Sequence, residues 1–454
     1  MHLTMMHMGI IIATLVCVIG IGIYSSRSVR SAAGYSVGGR SAGAPLVAGS
    51  IAGTVVGGGA TVGTAQLAYH FGLSAWWFTL GSGIAFIIMG LFYAKKMRGT
   101  GLETIPQFLA MHYGKKAEEL SSVISSIGIL FSAVASCLPG IEIVAEVFHV
   151  DAYTASALLI LLVAAYTFFG GMKSAGIGGM LKMGIIWVAL FIAGWEAFQA
   201  VHETAAWSQF PAAQFSLFGR GVEPALANLF SVLVGVLCTQ TYIQCIFSAD
   251  TPSTASAGCF LAAAIVIPVG LPSVAVGLYM QTLYPDIQPI MVLPTYLINE
   301  VHPLLGGLAM GGIILSLIGG IGGLTLGIGT MITRDMIVPL CRMTDDRKML
   351  TVNKLTVLFV MLLACFIAIL NHGSEVLFWT YISMALRGGG IFLPLTLAVF
   401  WPGHVKRGWA VLSMLGSTAA SLLTATVVKL TIDPLFVGLI VSALLLLPGI
   451  RMKK

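Results

Sequence analysis

The feature that most constrains this chain is a run of about twenty apolar residues that recurs along its whole length. A helix of that length is what the hydrocarbon core of a bilayer requires. Hydrophobic residues make up 57% of the 454 positions and charged residues only 9%, whereas a soluble domain carries roughly 25% charged residues. The pattern predicts an all-α polytopic membrane protein with about thirteen transmembrane helices. They cover residues 7–25, 44–68, 72–94, 118–147, 152–170, 176–201, 224–247, 254–282, 305–333, 353–371, 376–400, 408–429 and 433–450.

The positions of the basic residues predict how these spans are oriented. If the N-terminus lies outside, all but four of the 23 Lys and Arg residues fall in inside loops. The exceptions are Arg220 and Lys429 in outer loops and Lys182 and Arg387 within spans. Positive charge collects in cytoplasmic loops, so we expect the N-terminus outside and the C-terminus in the cytoplasm. This segregation accounts for the net charge of +6 without a nucleic-acid partner.

Several classes of function lack their sequence signatures. The chain has no GxxxxGK[ST] motif, which argues against an ATP-driven pump. Its seven cysteines are scattered singly with no metal-type spacing, so we expect no cofactor other than a coupling ion. A sensor would need a signalling domain, and a membrane enzyme would need a cluster of catalytic His and Asp residues. We therefore expect neither, and no obligate protein partner beyond the lipid bilayer.

Two spans carry features typical of interrupted helices. Gly57, Gly58 and Gly59 lie in the middle of the second span, where three glycines cost a helix about 3 kcal/mol relative to alanine. The seventh span has the polar middle CTQTYIQC, with Gln240 and Tyr242. Unwound backbone at membrane depth survives only where protein or a water-filled cavity satisfies it. Its freed carbonyls can bind a cation and its freed N–H groups an anionic solute, although the glycines would also suit a close helix crossing. The ninth span is also rich in glycine, so we expect a similar interruption there.

Short motifs then provide a family resemblance between about residues 1 and 400. The motifs are Tyr35-Ser-Val-Gly-Gly-Arg40-Ser41, Ala68-Tyr69 with Gly72-Leu73-Ser74, Thr104-Ile-Pro106-Gln-Phe-Leu with His112-Tyr113-Gly114, Tyr166-Thr-Phe-Phe-Gly170-Gly171, Gln240-x-x-x-Gln244 and Thr333-Arg-Asp335. Their order and spacing resemble those of the sodium:solute symporter family.

The resemblance implies a LeuT-type fold with five-plus-five inverted repeats. Residues 1–43 would form an extra N-terminal helix and a basic loop, and residues 401–454 would form two C-terminal helices. The repeats would be 44–201 and 202–400, each beginning with an interrupted span, as is typical of inverted-repeat transporters. The implied function is secondary active transport of a small polar organic solute by alternating access, in the cell membrane, which we expect to be a bacterial inner membrane.

The resemblance also implies a sodium site, and the sequence departs from it. Carried over, the site comprises Gly53 and Val56 on the second span and Ser316, Gly319 and Gly320 on the ninth. The family has Ser or Thr hydroxyls where Gly319 and Gly320 stand, and a hard cation prefers about six oxygens. The coupling ion therefore stays open between Na⁺ and H⁺.

A second departure lies in the sixth span. Where the family shows T-D and, three residues later, Gln, this chain has Gly178-Gly179 and Lys182. The Lys182 ammonium could occupy the space of the lost sodium ion, and a lysine could also carry a coupled proton. The alternative is a lysine whose long side chain reaches the interface near the helix end.

Other polar residues within spans are candidate substrate ligands. Arg387 would face protein or water, and it could pair with an anionic substrate, with a carboxylate, or with carbonyls freed by Gly388–Gly390. Glu142 could line the outer vestibule, accept a proton or pair with Arg387. Gln66, Gln240 and Tyr242 could bind the solute, which could be an amino acid, a sugar or a nucleobase. A channel or facilitative uniporter is the alternative, and only a carrier shows counterflow.

Overall fold

The computed structural model describes residues 2–26, 31–167, 171–203, 208, 210–428 and 432–450. Within those residues the chain folds into twenty α-helices linked by short turns. Their bounds are α1 Met5–Ser26, α2 Ala32–Val37, α3 Ala44–Val55, α4 Thr64–Phe71, α5 Trp77–Ile88, α6 Ala94–Arg98, α7 Ile105–Tyr113, α8 Lys115–Phe148, α9 Ala152–Thr167, α10 Gly171–Glu203, α11 Val222–Leu237, α12 Gln240–Ser248, α13 Pro252–Leu283, α14 Val292–Asn299, α15 Pro303–Met331, α16 Val338–Leu340, α17 Asp346–Leu370, α18 Val376–Phe400, α19 Arg407–Leu423 and α20 Pro434–Leu446.

Seven helical segments of the described chain are long and apolar enough to cross a bilayer. The pair α11 and α12, bent by 43° at a short break, makes an eighth. Several other predicted spans coincide with shorter apolar helices, including Met5–Cys17, Ala44–Val55 and Ala152–Tyr166. Such a set of apolar helices is that of a polytopic membrane protein. The number thirteen and the orientation stay predictions, and part of the predicted basic loop, Arg27 and Arg30, lies outside the described residues.

Threonine and proline residues mark the starts of two helices. Thr104 accepts the backbone N–H of Gln107 at 3.1 Å, and Pro106 occupies the first turn of α7. Thr251 caps α13 in the same way, with Pro252 as its first residue. A threonine cap satisfies an N–H that the helix leaves free, and proline fits where no intrahelical N–H is needed. The family-like Thr104-Ile-Pro106 motif is therefore a helix start.

The second span is interrupted at the predicted glycines. Helix α3 ends at Val55, and Val56 leaves helical geometry with φ −79° and ψ 68°. The chain resumes as a wide π-helical turn over Gly59–Gly63 before α4 begins. The seventh span is likewise divided into α11 and α12, with Thr239 extended between them. These breaks expose backbone groups at the depth where the candidate site lies.

The glycine-rich ninth span, in contrast, is not interrupted. Helix α15 is continuous from Pro303 to Met331 and ends in a π-helical turn over Ile332–Ile337. Its glycines serve close packing instead, because a Cβ on Gly320 would lie 3.3 Å from the Cα of Gly57. A Cβ on Gly323 would overlap the side chain of Thr54. The bare face of α15 is what allows it to pack directly against the break in the second span.

Helices α8, α10, α15 and α18 surround this break. Helix α10 packs along α3, α18 packs along α8, and α15 contacts both α8 and α10. The approach of α10 to α3 is close, since a Cβ on Gly179 would overlap the Gly49 carbonyl oxygen. The break is thereby enclosed by side chains from four helices that are far apart in sequence.

Candidate functional site

The ammonium group of Lys182 lies at the break between α3 and α4. Its Nζ donates hydrogen bonds to the backbone oxygens of Val56 and Ser316, each at 3.1 Å. The Ser316 hydroxyl donates to the same Val56 oxygen. Lys182 is only 1% exposed, so its side chain points into the protein rather than out to the interface. One ammonium thus links α10, the break and α15.

The two glycines of α15 that replace hydroxyl residues adjoin this ammonium and the break. A Cβ on Gly319 would lie 2.9 Å from the Lys182 Nζ and 3.4 Å from the Gly53 carbonyl oxygen. A Cβ on Gly320 would lie 3.4 Å from the Ser136 hydroxyl. A serine at position 319 would therefore compete with the ammonium for the same space.

Close packing also explains why glycines stand just before Lys182 on α10. A Cβ on Gly178 would overlap the hydroxyl of Tyr166, and a Cβ on Gly179 would overlap the Gly49 carbonyl. The acidic side chain that the family pattern has at position 179 would not fit here. Lys182 is therefore the charged side chain that this part of α10 offers to the break.

Two facing polar stripes extend from the break along α8 and α18. Ser132 and Ser136 are one helical turn apart on α8, and Thr380 and Ser383 lie on one face of α18; all four are buried. The Ser132 and Ser383 hydroxyls are 2.7 Å apart. A Cβ on Gly59 would lie 3.4 Å from the Thr380 hydroxyl, so the stripes meet the break. Their spacing of three and four residues was a readable signal that the sequence analysis missed.

Arg387 continues the stripe on α18. It is 1% exposed, and its Nε donates to the Ser383 carbonyl at 3.2 Å while Nη2 donates to the Ser132 hydroxyl at 3.3 Å. Its Nη1 has no hydrogen-bond partner in the described part of the chain. Of the three alternatives for Arg387, pairing with carbonyls freed by Gly388–Gly390 does not occur, because that helix stays continuous. A buried guanidinium with a free N–H group could receive an anion.

One aromatic side chain of the predicted set lies near this guanidinium. Tyr242 on α12 is buried, lies within electrostatic range of Arg387, and packs edge-on against Phe86 with ring centroids 5.4 Å apart. Tyr381 lies nearer the start of α18. Its hydroxyl is buried and has no hydrogen-bond partner among the residues described, and its ring packs against Phe78.

Gln66 lies in a different place. Its Oε1 accepts the backbone N–H of Val376 at 3.1 Å, which ties α4 to the start of α18. The side chain lines a cavity of about 110 Å³ together with His70 and Glu375. Gln66 thus lies in the first turn of α4, where it holds the start of α18 and borders a small polar cavity.

Glu142 does not pair with Arg387, as one sequence-based alternative proposed. Its Oε1 is 3.1 Å from the Nδ1 of His372, a residue whose side chain is 73% exposed. His372 lies in the surface turn between α17 and α18. Glu142 is therefore a peripheral residue, on the side of the protein where Gln66 also lies.

Gln240 binds backbone rather than an open space. Its Oε1 accepts the N–H of Ile105 at 2.8 Å, and its Nε2 donates to the Glu103 carbonyl at 3.0 Å and to Gln244 Oε1 at 3.4 Å. Gln244 in turn donates to the Ser36 carbonyl at 2.6 Å. The amide of Gln240 is fully used in joining α12 to the loop before α7.

A polar network, which the sequence analysis did not predict, surrounds that loop. Asp335 is 1% exposed, and its Oδ1 accepts hydrogen bonds from the Thr104 hydroxyl and the Gln107 amide, both at 3.0 Å. Next to it, Arg334 forms a 3.1 Å salt bridge with Glu103. The network joins the end of the ninth span to the loop before α7, on the side of the basic loops.

The structure thus divides the predicted residues into three groups. Gly53, Val56, Ser316, Gly319, Gly320 and Lys182 lie together at the break. Arg387 and Tyr242 lie together beside the serine stripes, while Gln66, Glu142 and Gln240 lie nearer the two ends of the bundle.

Comparisons with known proteins bear on the family and the fold of this chain. Residues 35–416 match the profile of the sodium:solute symporter family. The human high affinity choline transporter 1 is 26% identical over 251 residues, which cover 53% of this chain and 43% of that protein. The sodium/proline symporter of Staphylococcus aureus is 24% identical over 406 residues, 82% of this chain and 77% of that protein. The chain thus matches less than half the length of the choline transporter.

A solved structure shares the fold along nearly the whole chain. It is the substrate-bound, outward-open state of a Na⁺-coupled sialic acid symporter, with a TM-score of 0.80 and 16% identity. The match covers 98% of this chain and 97% of that one. The apolar helices are those of an integral multi-pass membrane protein, and the chain belongs to the sodium:solute symporter family.

Proposed function

We propose that this protein is a carrier for a small polar solute in which the Lys182 ammonium stands where the family binds its coupling sodium. One observation supports this above all. The Nζ of Lys182 already donates hydrogen bonds to the carbonyl oxygens of Val56 and Ser316, at 3.1 Å each. These are positions that the family resemblance assigns to the cation.

The oxygens left at this place are too few for sodium. Gly319 and Gly320 supply no side-chain oxygen, and the Ser316 hydroxyl is bonded to Val56. A sodium ion on the same carbonyls would lie within about 4 Å of the ammonium, where like charges repel by about 4 kcal/mol at an effective dielectric constant of 20. A tethered ammonium and a sodium ion therefore exclude each other at this position.

Proton coupling follows from the same arrangement. A charged ammonium makes stronger hydrogen bonds than a neutral amine, so its proton tightens the link between α10, the break and α15. Loss of the proton loosens that link, and the break is where the helices must move during alternating access. The proton on Lys182 is thus the coupling ion, taken up and released once per cycle.

In this proposal, alternating access arises from movement of two inverted repeats relative to each other. We infer that residues 44–201 and 202–400 are inverted repeats, with one helix before them and two after. The support is that α3–α4 and α11–α12, which open the two segments, are both interrupted. The N-terminus would lie outside and the C-terminus in the cytoplasm of a bacterial cell.

Arg387 indicates the class of solute. Its free Nη1, beside the Ser132 and Ser383 hydroxyls, suits a carboxylate. Proline and sialic acid, which relatives of this chain carry by name, both have a carboxylate, whereas choline is a cation. We therefore propose a small carboxylate-bearing solute as the substrate.

The coupling proposal can be tested in proteoliposomes. Proline, sialic acid, choline and short carboxylates are first screened by thermal shift, and the solute that stabilises the protein is used for uptake. We expect an inward proton gradient to drive accumulation in sodium-free buffer, and a sodium gradient to add nothing. Lys182→Gln should keep counterflow but lose proton-driven accumulation, while the exposed Lys348→Gln should behave as wild type.

Two outcomes would contradict the proposal. Strict dependence of wild-type uptake on sodium would mean that Lys182 does not replace the ion. Absence of counterflow, with the solute still passing, would indicate a channel instead of a carrier.

A further inference from the structure

A groove with a basic rim lies between the start of α8 and the first turns of α19. Its volume is about 540 Å³. Lys115, Lys116 and Arg407 stand at one end, and Val411, Leu412 and Leu415 form the wall. Leu412 is 46% exposed and Leu415 is 55% exposed, which is typical of a helix face that contacts lipid.

The basic end of the groove carries positive charge that the protein does not neutralise. Lys115 binds Glu118 at 3.1 Å and the Asp335 carbonyl oxygen, so it is partly used. Lys116 and Arg407 are exposed and form no salt bridge within the described chain. Glu119, one residue beyond Glu118, is also exposed, yet the groove lining itself contains no acidic residue.

The order of these groups along the groove matches one kind of ligand. A phospholipid has an anionic phosphate at one end and apolar acyl chains at the other. Basic pockets between membrane helices on the cytoplasmic side bind such headgroups. The starts of α8 and α19 have no side-chain caps, so their N–H groups add to the positive potential at the same end.

We propose that this groove binds an anionic phospholipid, with Lys116 and Arg407 on the phosphate and the wall of Val411, Leu412 and Leu415 along an acyl chain. The site is separate from the solute site and does not depend on the coupling ion. It clamps α19 to the start of α8, the helix that also carries Ser132 and Ser136.

Binding can be measured on the purified full-length protein in detergent. Phosphatidylglycerol, phosphatidylcholine and inorganic phosphate are titrated separately, with thermal stabilisation and native mass spectrometry as readouts. We expect phosphatidylglycerol to bind and stabilise, and the other two to have little effect. The double variant K116Q/R407Q should bind phosphatidylglycerol about 30-fold more weakly, because each basic residue near a lipid surface contributes roughly a factor of five.

A matched variant distinguishes binding in this groove from attraction of the lipid to the net positive charge of the protein. R347Q/K348Q also removes two exposed basic residues, at the start of α17 and away from the groove, and it should bind like wild type. Equal loss in both double variants would overturn the proposal, since net charge alone would then explain binding. Stabilisation by inorganic phosphate equal to that by phosphatidylglycerol would overturn it in favour of a free anion.

Discussion

The Nζ of Lys182 lies 2.9 Å from the point where a Cβ on Gly319 would stand. The lysine on α10 and the missing side chain on α15 are therefore two parts of one arrangement. Either a hydroxyl residue at 319 or an ammonium from 182 can occupy this space, but not both without displacement. The relationship explains why the two departures from the family pattern occur together in this sequence.

The first prediction concerns Gly319→Ser. The new side chain would displace the ammonium from Val56 and Ser316, and overpacking of this kind costs about 1–3 kcal/mol. We expect a lower free energy of unfolding and loss of accumulation. Adding Lys182→Ala removes the clash, so the double variant should be more stable than the sum of the single effects predicts, by about 0.5–3 kcal/mol. Thermal unfolding of all four proteins measures this coupling.

Sodium supplies an independent readout for the same four proteins. Only the double variant has both the free carbonyls and a hydroxyl at position 319, so sodium chloride should raise its Tm above that in potassium chloride. Additive single effects together with no sodium response would show that Lys182 and Gly319 do not share one site.

The second prediction concerns Arg387. Arg387→Ala removes the guanidinium, and a hydrogen bond to a charged group contributes about 1.5–3 kcal/mol. Binding of a carboxylate solute should therefore weaken about 10- to 100-fold, while Arg387→Lys should retain part of the affinity. Calorimetric titration of the purified variants measures the change. Ser417→Ala, a buried change on α19 where the hydroxyl bonds only its own helix, serves as control; unchanged affinity in Arg387→Ala would exclude a contact with the solute.

The parts of this site that could be predicted from sequence are those in which a residue is energetically unfavourable in its own helix, whatever its tertiary surroundings. Three consecutive glycines weaken a helix wherever they stand, and a lysine in an apolar run requires partners. The position of the break and the need of Lys182 for buried partners could therefore be predicted. The continuity of α15 could not, because its glycines are accommodated by packing against Gly57 and Thr54, which are more than 250 residues away.

The contacts that could not be predicted are hydrogen bonds between residues far apart in the sequence. The backbone partners of Gln240 lie 135 to 137 residues away, and Asp335 bonds to Thr104 across 231 residues. A single sequence does not indicate such pairings, since the residue types involved are common in loops. For the same reason the alternative that paired Glu142 with Arg387 could not be judged from sequence, because chemical compatibility does not indicate proximity.

The third prediction concerns Gln240→Leu. The substitution leaves the Ile105 N–H and the Glu103 carbonyl without their partner, and an unsatisfied buried polar group costs about 1–3 kcal/mol. We expect a lower Tm with solute affinity within about twofold of wild type, because the amide is used by the protein. Parallel thermal unfolding and calorimetric titration check both parts. If affinity falls while the Tm is unchanged, Gln240 contacts the solute directly.

The fourth prediction separates the charge of Asp335 from its hydrogen bonds. Oδ1 accepts from Thr104 and Gln107, whereas Oδ2 has no hydrogen-bond partner among the described residues. Asp335→Asn can keep both bonds through its carbonyl oxygen, so its Tm should stay close to wild type. Asp335→Ala leaves the buried Thr104 hydroxyl and the partly buried Gln107 amide without an acceptor, and it should lower the free energy of unfolding by about 2–4 kcal/mol, on the basis of roughly 1–2 kcal/mol for each donor. Equal losses in both variants would show that the carboxylate charge, and not its geometry as an acceptor, holds the ninth span to the loop before α7.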